Sequence, residues 1–264
     1  MNNITGTIIT LNNEKHIKEC ILSLKKICDE IIVLDSVSKD NTCVIAKDLG
    51  VKVIEQPFLG DGPQKIHASH FASNNWIFSL DADEKLENNL IQFVKSLDLE
   101  NSKYDGYSFR RQNYCGTRWI KAAGFYPDRV VRLYNKNKTN YIDRTSHSFI
   151  PVTSEFKTDY HIIHHTYDSY NEWINKINFY STQSAKTLHS KGVRASKIRP
   201  ITHSLFALFK KLFIKGGIFQ GLDGFTVAIT TMFNTYMKYV KLNELYENNV
   251  DPKTHFPKKK SDSK

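Results

Sequence analysis

The sequence lacks the glycine-rich loops that hold dinucleotides or nucleoside triphosphates. No Gly-x-Gly-x-x-Gly follows the first predicted strand, and no Walker A loop is present. The four cysteines show no Cys-x-x-Cys spacing, which favours reduced thiols over a structural zinc site. No run reaches the roughly 18 apolar residues of a spanning helix, and the N-terminus has no charged-then-apolar leader. We therefore expect a cytoplasmic protein.

Acidic residues are scarce towards the C-terminus. Residues 1–184 carry 22 Lys+Arg against 22 Asp+Glu, whereas residues 185–264 carry 15 against 5. This basic part predicts an anionic partner, either membrane headgroups or nucleic acid. Phe206, Phe209 and Phe213 beside Lys210 and Lys211 suit either a membrane interface or a helix packed on the rest of the chain. Because no RNA-binding signature motif is present, we expect no nucleic-acid partner.

The first hundred residues alternate between short β-branched segments and helical patterns. The strand-like segments are ITGTIIT, EIIVLD, VKVIEQ and WIFSLD, and each gap between them carries a helical pattern. This alternation predicts βαβ units and a mainly parallel sheet, whose strands all end at one edge. Open α/β sheets bind ligands at this edge. The polar residues that end or follow the predicted strands there are Thr10, Asn12, Asp35, Asp81 and Asp83.

The fourth predicted strand runs directly into three acids, Asp81, Asp83 and Glu84. Neighbouring carboxylates raise each other's cost of ionisation, so this crowding requires an explanation. The acids could form a solvated strand end, cap the helix that follows, or bind a divalent cation. Hard oxygen ligands suit Mg²⁺ or Mn²⁺ held jointly with a diphosphate.

Several segments together resemble the family 2 inverting glycosyltransferases of the GT-A fold. The resemblance is carried, in order, by TIITLNNE, IIVLDSVSKDNT, GPQKIHA and WIFSLDADE. Later stretches, including RRQNYCGTRWIKAAGFYPDRVVRLYNK, are similar to lipopolysaccharide-core transferases that add a β-linked glucose to the inner-core heptose. The resemblance implies a mixed, mainly parallel sheet with helices on both faces. We expect a GT-A catalytic domain at 1–165 and a helical basic region at 166–250, and the composition of residues 251–264 predicts a disordered tail.

The resemblance also implies roles for the residues at the strand ends. Thr10 and Asp35 match the positions that hold the uracil of a UDP-sugar, and Asn12 belongs to the same donor-binding segment. Lys65 would steady the ribose or the diphosphate, Asp81 would lie against the ribose, and Asp83 would bind Mg²⁺ or Mn²⁺. Asp35 has an alternative role in a capping turn with nearby serines.

An inverting transfer also needs a base for the acceptor hydroxyl. Family members tend to have His-Glu near residues 145–149, whereas this chain has TSHSF, with Ser148 after His147. We expect Asp128 to be the base, with His147 as the alternative; His147 could equally be a structural imidazole. Five arginines among the aromatic residues of the acceptor half suit a phosphorylated, carboxylated sugar: Arg110, Arg111, Arg118, Arg129 and Arg132.

The predicted function is metal-dependent transfer of a hexose, from UDP-glucose, onto a lipopolysaccharide inner-core sugar with inversion. The partners would be a UDP-hexose donor, a glycolipid acceptor and a peripheral contact with the inner leaflet. One alternative keeps the donor but uses a capsule, lipid or protein acceptor. Another is a catalytically silent sugar-nucleotide-binding module, which the serine at position 148 would favour.

Overall fold

The computed structural model describes residues 3–143 and 148–254, which form two compact units. The first unit comprises Met1–Tyr114 and Pro127–Thr166, and the second comprises Cys115–Tyr126 and Tyr167–Lys264. The predicted boundary at residue 165 stays a prediction, and Cys115–Tyr126 is grouped with the C-terminal helices. The predicted tail falls largely outside the described residues.

The first unit is built on a mixed sheet. The strands of the chain are β1 Ile4–Thr10, β2 Glu30–Asp35, β3 Lys52–Glu55, β4 Trp76–Asp81, β5 Glu84–Leu86, β6 Gly106–Cys115, β7 Arg118–Trp119, β8 Asp128–Asn135 and β9 Glu155–Tyr167. The order across the sheet is β3-β2-β1-β4-β8-β6-β9-β5. The helices of this unit are α1 Ile17–Leu24, α2 Thr42–Asp48, α3 Asp61–His70 and α4 Asn88–Ser96. The mainly parallel α/β architecture predicted from the sequence is confirmed in its first half, and antiparallel strands complete the sheet.

The central strands are buried because their sequences are nearly continuous apolar runs. Ile8, Leu34 and Phe78 are fully buried, and the Phe78 ring lies 5.5 Å from that of Phe109 on β6. A parallel sheet covered on both faces favours such runs, since side chains on either face meet a helix or another layer. This packing fixes the strand ends that carry the polar residues.

Strand register places these polar residues side by side. β1 runs parallel to β2 and β4, with Thr10 opposite Asp35 and Ile9 opposite Asp81. The carboxyl ends of three strands therefore meet at one edge, as the sequence predicted. β8 joins the edge of β4 in the antiparallel direction, with Phe78 opposite Leu133, and brings its own polar residues towards Asp81.

The second unit contains three helices, α5 Tyr170–Ser190, α6 Arg199–Phe209 and α7 Gly221–Glu247. Ser169 caps α5 by accepting a hydrogen bond from the backbone N–H of Glu172 (3.1 Å). A π-helical turn, Lys210–Ile214, extends α6 towards α7. The turn between them packs against the start of α7, where position 224 requires glycine, since a Cβ there would lie only 1.9 Å from the carbonyl oxygen of Gly217.

Candidate active site

Asp81, at the end of β4, is held between two cationic side chains. Lys65 Nζ lies 3.0 Å from Oδ1, and Arg132 Nη2 donates to Oδ2 at 2.7 Å. Burial would raise the pKa of Asp81, but the charges of Arg132 and Lys65 outweigh it and hold the pKa well below the ordinary value. Burial would likewise lower the pKa of Lys65, yet the charge of Asp81 raises it. Both groups are therefore charged at neutral pH.

Glu84 is the most deeply buried of the three acids. Its Oε1 accepts a hydrogen bond from Arg132 Nη2 (2.6 Å) and lies 3.4 Å from Arg111 Nη1. Its Oε2 accepts from the backbone N–H of Asp81 (3.0 Å). A buried carboxylate is tolerated when it is ion-paired and hydrogen-bonded, as Glu84 is. The acids therefore do not form the solvated strand end that was one alternative. Nor do the acids cap α4, whose N-cap is Glu87.

Asp83 has a different environment from its two neighbours. Its side chain is 22% exposed, and Oδ1 lies 3.7 Å from Nε2 of His164 on β9. The Asp83 carbonyl oxygen accepts a hydrogen bond from the backbone N–H of His165 (2.9 Å), which ties this turn to β9. A carboxylate and an imidazole thus face one another at the carboxyl edge of the sheet.

Asp128, at the start of β8, is an ion-pair partner. Arg111 donates to its Oδ2 through Nε (2.9 Å) and Nη2 (2.7 Å), because β6 and β8 place these two residues opposite each other. Asn113 Nδ2 donates to the same oxygen at 3.2 Å, and Asn113 Oδ1 lies 2.7 Å from His164 Nδ1. Asn113 therefore links Asp128 to the imidazole that faces Asp83.

The residues predicted to hold the base of the nucleotide lie at the ends of β1 and β2. Within the described part of the chain, the buried Thr10 hydroxyl has no hydrogen-bond partner. The Asp35 carboxylate accepts hydrogen bonds from the Ser38 N–H (2.7 Å) and hydroxyl (2.5 Å). The contacts of Asp35 with Ser38 are therefore those expected for the alternative role in a capping turn. Asn12 is exposed and accepts from the N–H of Lys39 at 2.8 Å, so it braces the same loop.

Ser148 has a structural partner in the first turn of α3. Its backbone N–H and its hydroxyl both donate to Asp61 Oδ2, at 2.8 and 2.6 Å. Asp61 Oδ1 lies 3.0 Å from Lys65 Nζ, so Ser148 supports the Lys65–Asp81 pair indirectly. His147, the alternative base, lies outside the described residues.

The arginines predicted to contact the acceptor are paired with carboxylates of the chain. Arg111 and Arg132 belong to the acidic cluster, and Arg110 and Arg129 both contact Asp159, at 2.6 and 3.1 Å. In the second unit, Arg118 lies 2.8 Å from Asp223. These guanidinium groups therefore form ion pairs within the chain. Sequence reasoning missed this because strand register, rather than local pattern, chooses their partners.

The donor set at Asp83 fits a cation only in part. Among residues 3–143 and 148–254, no group of three or more His, Cys, Asp or Glu side chains is arranged to hold a metal ion. The carboxylates of Asp81 and Glu84 already contact cationic side chains. Asp83 and His164 supply one oxygen and one nitrogen donor. This pair fits Mg²⁺ or Mn²⁺ whose remaining ligands come from a diphosphate and water.

The mixed sheet and the acidic turn after β4 define a GT-A glycosyltransferase fold. The family model described as "Glycosyl transferase family 2" matches residues 7–164, and the chain belongs to this family. An uncharacterized glycosyltransferase of Rickettsia typhi is 34% identical over 93% of this chain and 88% of its own length. The lipopolysaccharide core biosynthesis glycosyltransferase LpsC of Rhizobium meliloti is 27% identical, over 90% of this chain and 91% of its own. S. aureus TarS 1-349 in complex with UDP matches 94% of this chain and 92% of its own, with 12% identity and a TM-score of 0.48. The predicted family and enzyme class are confirmed.

Proposed function

We propose that this glycosyltransferase moves a hexose, glucose from UDP-glucose, onto a sugar of the lipopolysaccharide inner core with inversion. The observation that carries the proposal is the Asp81–Asp83 turn, where one carboxylate is fixed by Lys65 and Arg132 and the other faces His164. A fixed carboxylate suits a ribose hydroxyl, which can donate to it. The likeness to LpsC supports the choice of acceptor.

Asp83 and His164 are the residues that would hold Mg²⁺ or Mn²⁺ together with the donor diphosphate. When bound, the cation supplies positive charge against the diphosphate oxygens as the leaving group develops. Asp81 binds the ribose, and Lys65 acts through Asp81 by fixing its rotamer. Thr10 and Asp35 receive the uracil, with the buried Thr10 hydroxyl available to bond its polar edge.

Asp128 takes the proton of the acceptor hydroxyl. All three of its contacts from described side chains converge on Oδ2, so Oδ1 is the oxygen that receives the proton. The acceptor oxygen attacks the anomeric carbon from the face opposite the diphosphate, while the bond between that carbon and the diphosphate oxygen breaks. UDP leaves with the electron pair, and the configuration inverts. Arg111 holds the Asp128 carboxylate in place through two contacts with Oδ2.

Because the acceptor is a glycolipid, we place the protein in the cytoplasm with a peripheral contact on the inner leaflet. Within the described ranges, no helix is both long and apolar enough to cross a membrane. The Ser148–Asp61 contact gives the serine a role that does not require loss of catalysis, which weakens the case for a silent module.

The proposal is tested by transfer from UDP-glucose to a delipidated inner-core oligosaccharide, with Mn²⁺, with Mg²⁺ and with EDTA. We expect metal-dependent transfer that Asp83→Ala abolishes. Asp48→Ala, which removes an exposed carboxylate at the end of α2, is the matched control and keeps activity. Binding of UDP-glucose without transfer to this or to capsule, lipid or protein acceptors would support the silent module instead.

A further inference from the structure

Bulky apolar side chains point outward along the hairpin formed by α6, its π-helical turn and the first half of α7. On α6 and its extension, Phe206, Phe209 and Phe213 are exposed. At the turn, Phe219 is 89% and Leu222 75% exposed. A soluble helix normally turns such residues towards the core, so this face requires a covering phase or partner.

The outward face continues along α7 with helical spacing. Phe225, Ile229 and Phe233 follow Leu222 at intervals of three, four and four residues, and all are exposed. Residues at these intervals share one side of a helix. The apolar surface is therefore a continuous stripe over about three turns of α7 rather than a scatter of single residues.

The inward face of the same hairpin is small or polar. Ser204 is the buried residue near the middle of α6, and Gly224, Val227 and Ala228 are buried on α7. Small residues between helices with large apolar residues outside are the distribution found where helices pack in lipid. In water the hydrophobic effect favours the opposite distribution.

Threonine hydroxyls on α7 are satisfied within the helix. Thr226, Thr230, Thr231 and Thr235 each donate to the carbonyl oxygen four residues earlier, at 2.7 to 2.9 Å. A hydroxyl bonded in this way needs no water, so it can enter an apolar medium at little cost. These threonines of α7 are thus compatible with the medium that its stripe requires.

The charge around the hairpin is almost entirely positive. Residues 173–243 contain 11 Lys+Arg and one acid, Asp223, which pairs with Arg118. Lys210 and Lys215 are exposed beside the phenylalanines. Lysines at the rim of an apolar face can keep their ammonium groups at the level of lipid headgroups. A second copy of the chain would bring like charges together, which disfavours a symmetric dimer on this face.

We infer that the α6–α7 hairpin lies in the plane of an anionic lipid interface, with its phenylalanine face in the acyl region and Lys210 and Lys215 at the headgroups. This inference adds detail to the peripheral membrane contact of the proposed function, and its biological setting rests on that proposal. Its physical basis is the surface of the hairpin alone. Because its test uses no sugar nucleotide, failure here would leave the transfer reaction untouched.

The test measures sedimentation of the full chain with vesicles of phosphatidylcholine alone or of equal parts phosphatidylcholine and phosphatidylglycerol. We expect binding that is much stronger on the mixed vesicles. Phe206→Glu, at a side chain 62% exposed, should lower the partition coefficient about tenfold or more. Phe58→Glu, at a side chain 59% exposed in the first unit, is the matched control and should leave binding unchanged.

The charge component is tested separately. The pair Lys210→Gln and Lys215→Gln should reduce binding to mixed vesicles about tenfold or more. The pair Lys18→Gln and Lys26→Gln, at exposed positions on α1 and just after its end, should not. Phe219→Trp provides a second measurement, since its fluorescence should be quenched by brominated acyl chains relative to wild type. Thermal melting in the absence of vesicles checks that each variant is folded.

Three results would overturn the inference. One is the absence of binding to the mixed vesicles by folded wild type. Another is binding by Phe206→Glu equal to that of Phe58→Glu. The third is a stable lipid-free dimer that Phe206→Glu dissociates, since the face would then be covered by a second copy.

Discussion

The carboxamide oxygen of Asn113 lies 2.7 Å from Nδ1 of His164. The Asp128 carboxylate can only accept, so the Asn113 amide nitrogen must face Asp128 and its oxygen must face His164. His164 therefore donates through Nδ1, and its Nε2 lies 3.7 Å from Asp83 Oδ1. In the proposed function, Asn113 would thereby orient the imidazole so that Nε2 is the nitrogen offered to the cation.

Removing the hydrogen bond from His164 to Asn113 should weaken cation binding while both proposed ligands, Asp83 and His164, remain. We expect Asn113→Leu to lower the affinity for Mn²⁺, measured by electron paramagnetic resonance in the presence of UDP, by about tenfold to a hundredfold. Gln112→Leu, the neighbouring amide on the opposite face of β6, is the control and should change affinity little. Equal losses in both variants would mean that strand packing, and not the tautomer, is responsible.

Arg132 should be the most important cation for stability in the first unit. Arg132→Met leaves the carboxylates of Asp81 and Glu84 without their shared partner, which should cost about 3–5 kcal/mol in the free energy of unfolding. Arg118→Met, whose arginine is largely exposed, should cost far less, because an exposed ion pair is screened by solvent. Urea unfolding measures both. A small loss for Arg132→Met would show that water replaces the guanidinium.

The contact between Ser148 and Asp61 should make stability depend on pH. Burial would raise the pKa of Asp61, but Lys65 and the hydrogen bonds from Ser148 lower it below the ordinary value. The contact therefore stabilises the fold above the ordinary carboxyl pKa, and this contribution is lost as the pH falls through the lowered value. Ser148→Ala should cost about 1 kcal/mol at neutral pH and little in strong acid.

Unfolding of Ser148→Ala should be followed across this range beside Ser96→Ala. Ser96 donates to the neutral carbonyl of Phe93 at 2.7 Å, so its loss should be independent of pH. A pH-independent loss in Ser148→Ala would exclude Asp61 as the relevant partner.

Placing glutamate at position 148 should not restore a catalytic base. The Ser148 N–H lies 2.8 Å from Asp61 Oδ2, so a glutamate there would begin beside an existing carboxylate. We expect Ser148→Glu to be less stable than the uncharged Ser148→Gln by about 1 kcal/mol and to transfer no faster than wild type. Faster transfer by Ser148→Glu alone would make this position the base in place of Asp128.

The sequence predicted the parallel half of the sheet and the edge at which ligands would bind. It did not predict which side chains contact the site residues there. β1, β2 and β4 were recognisable because each is a short apolar run followed by polar residues, and parallel strands end together. Arg132 could not be assigned because it lies 51 residues from Asp81 and reaches it through an antiparallel pairing. His164 is not among the residues predicted from the sequence, since the register of β9 with β5 is not encoded locally.

The arginines show the same limit in another form. The mixture of guanidinium and aromatic residues in β6 and β8 matched an acceptor surface. Pairing of the two strands instead sets Arg111 opposite Asp128, and both Arg110 and Arg129 reach Asp159. Composition indicates that cations are available, but only strand register decides which anions they meet.

The double hold on Asp81 has a consequence for the entropy of donor binding. Each of its oxygens already contacts a cation, so its torsions are fixed when the chain folds. Ordering a mobile side chain on association costs about 0.5–1.5 kcal/mol. For Asp81 this entropy cost is met when the chain folds and not when the donor binds. The ribose would therefore meet a carboxylate already in its final orientation, and donor affinity would lose nothing to the search for it.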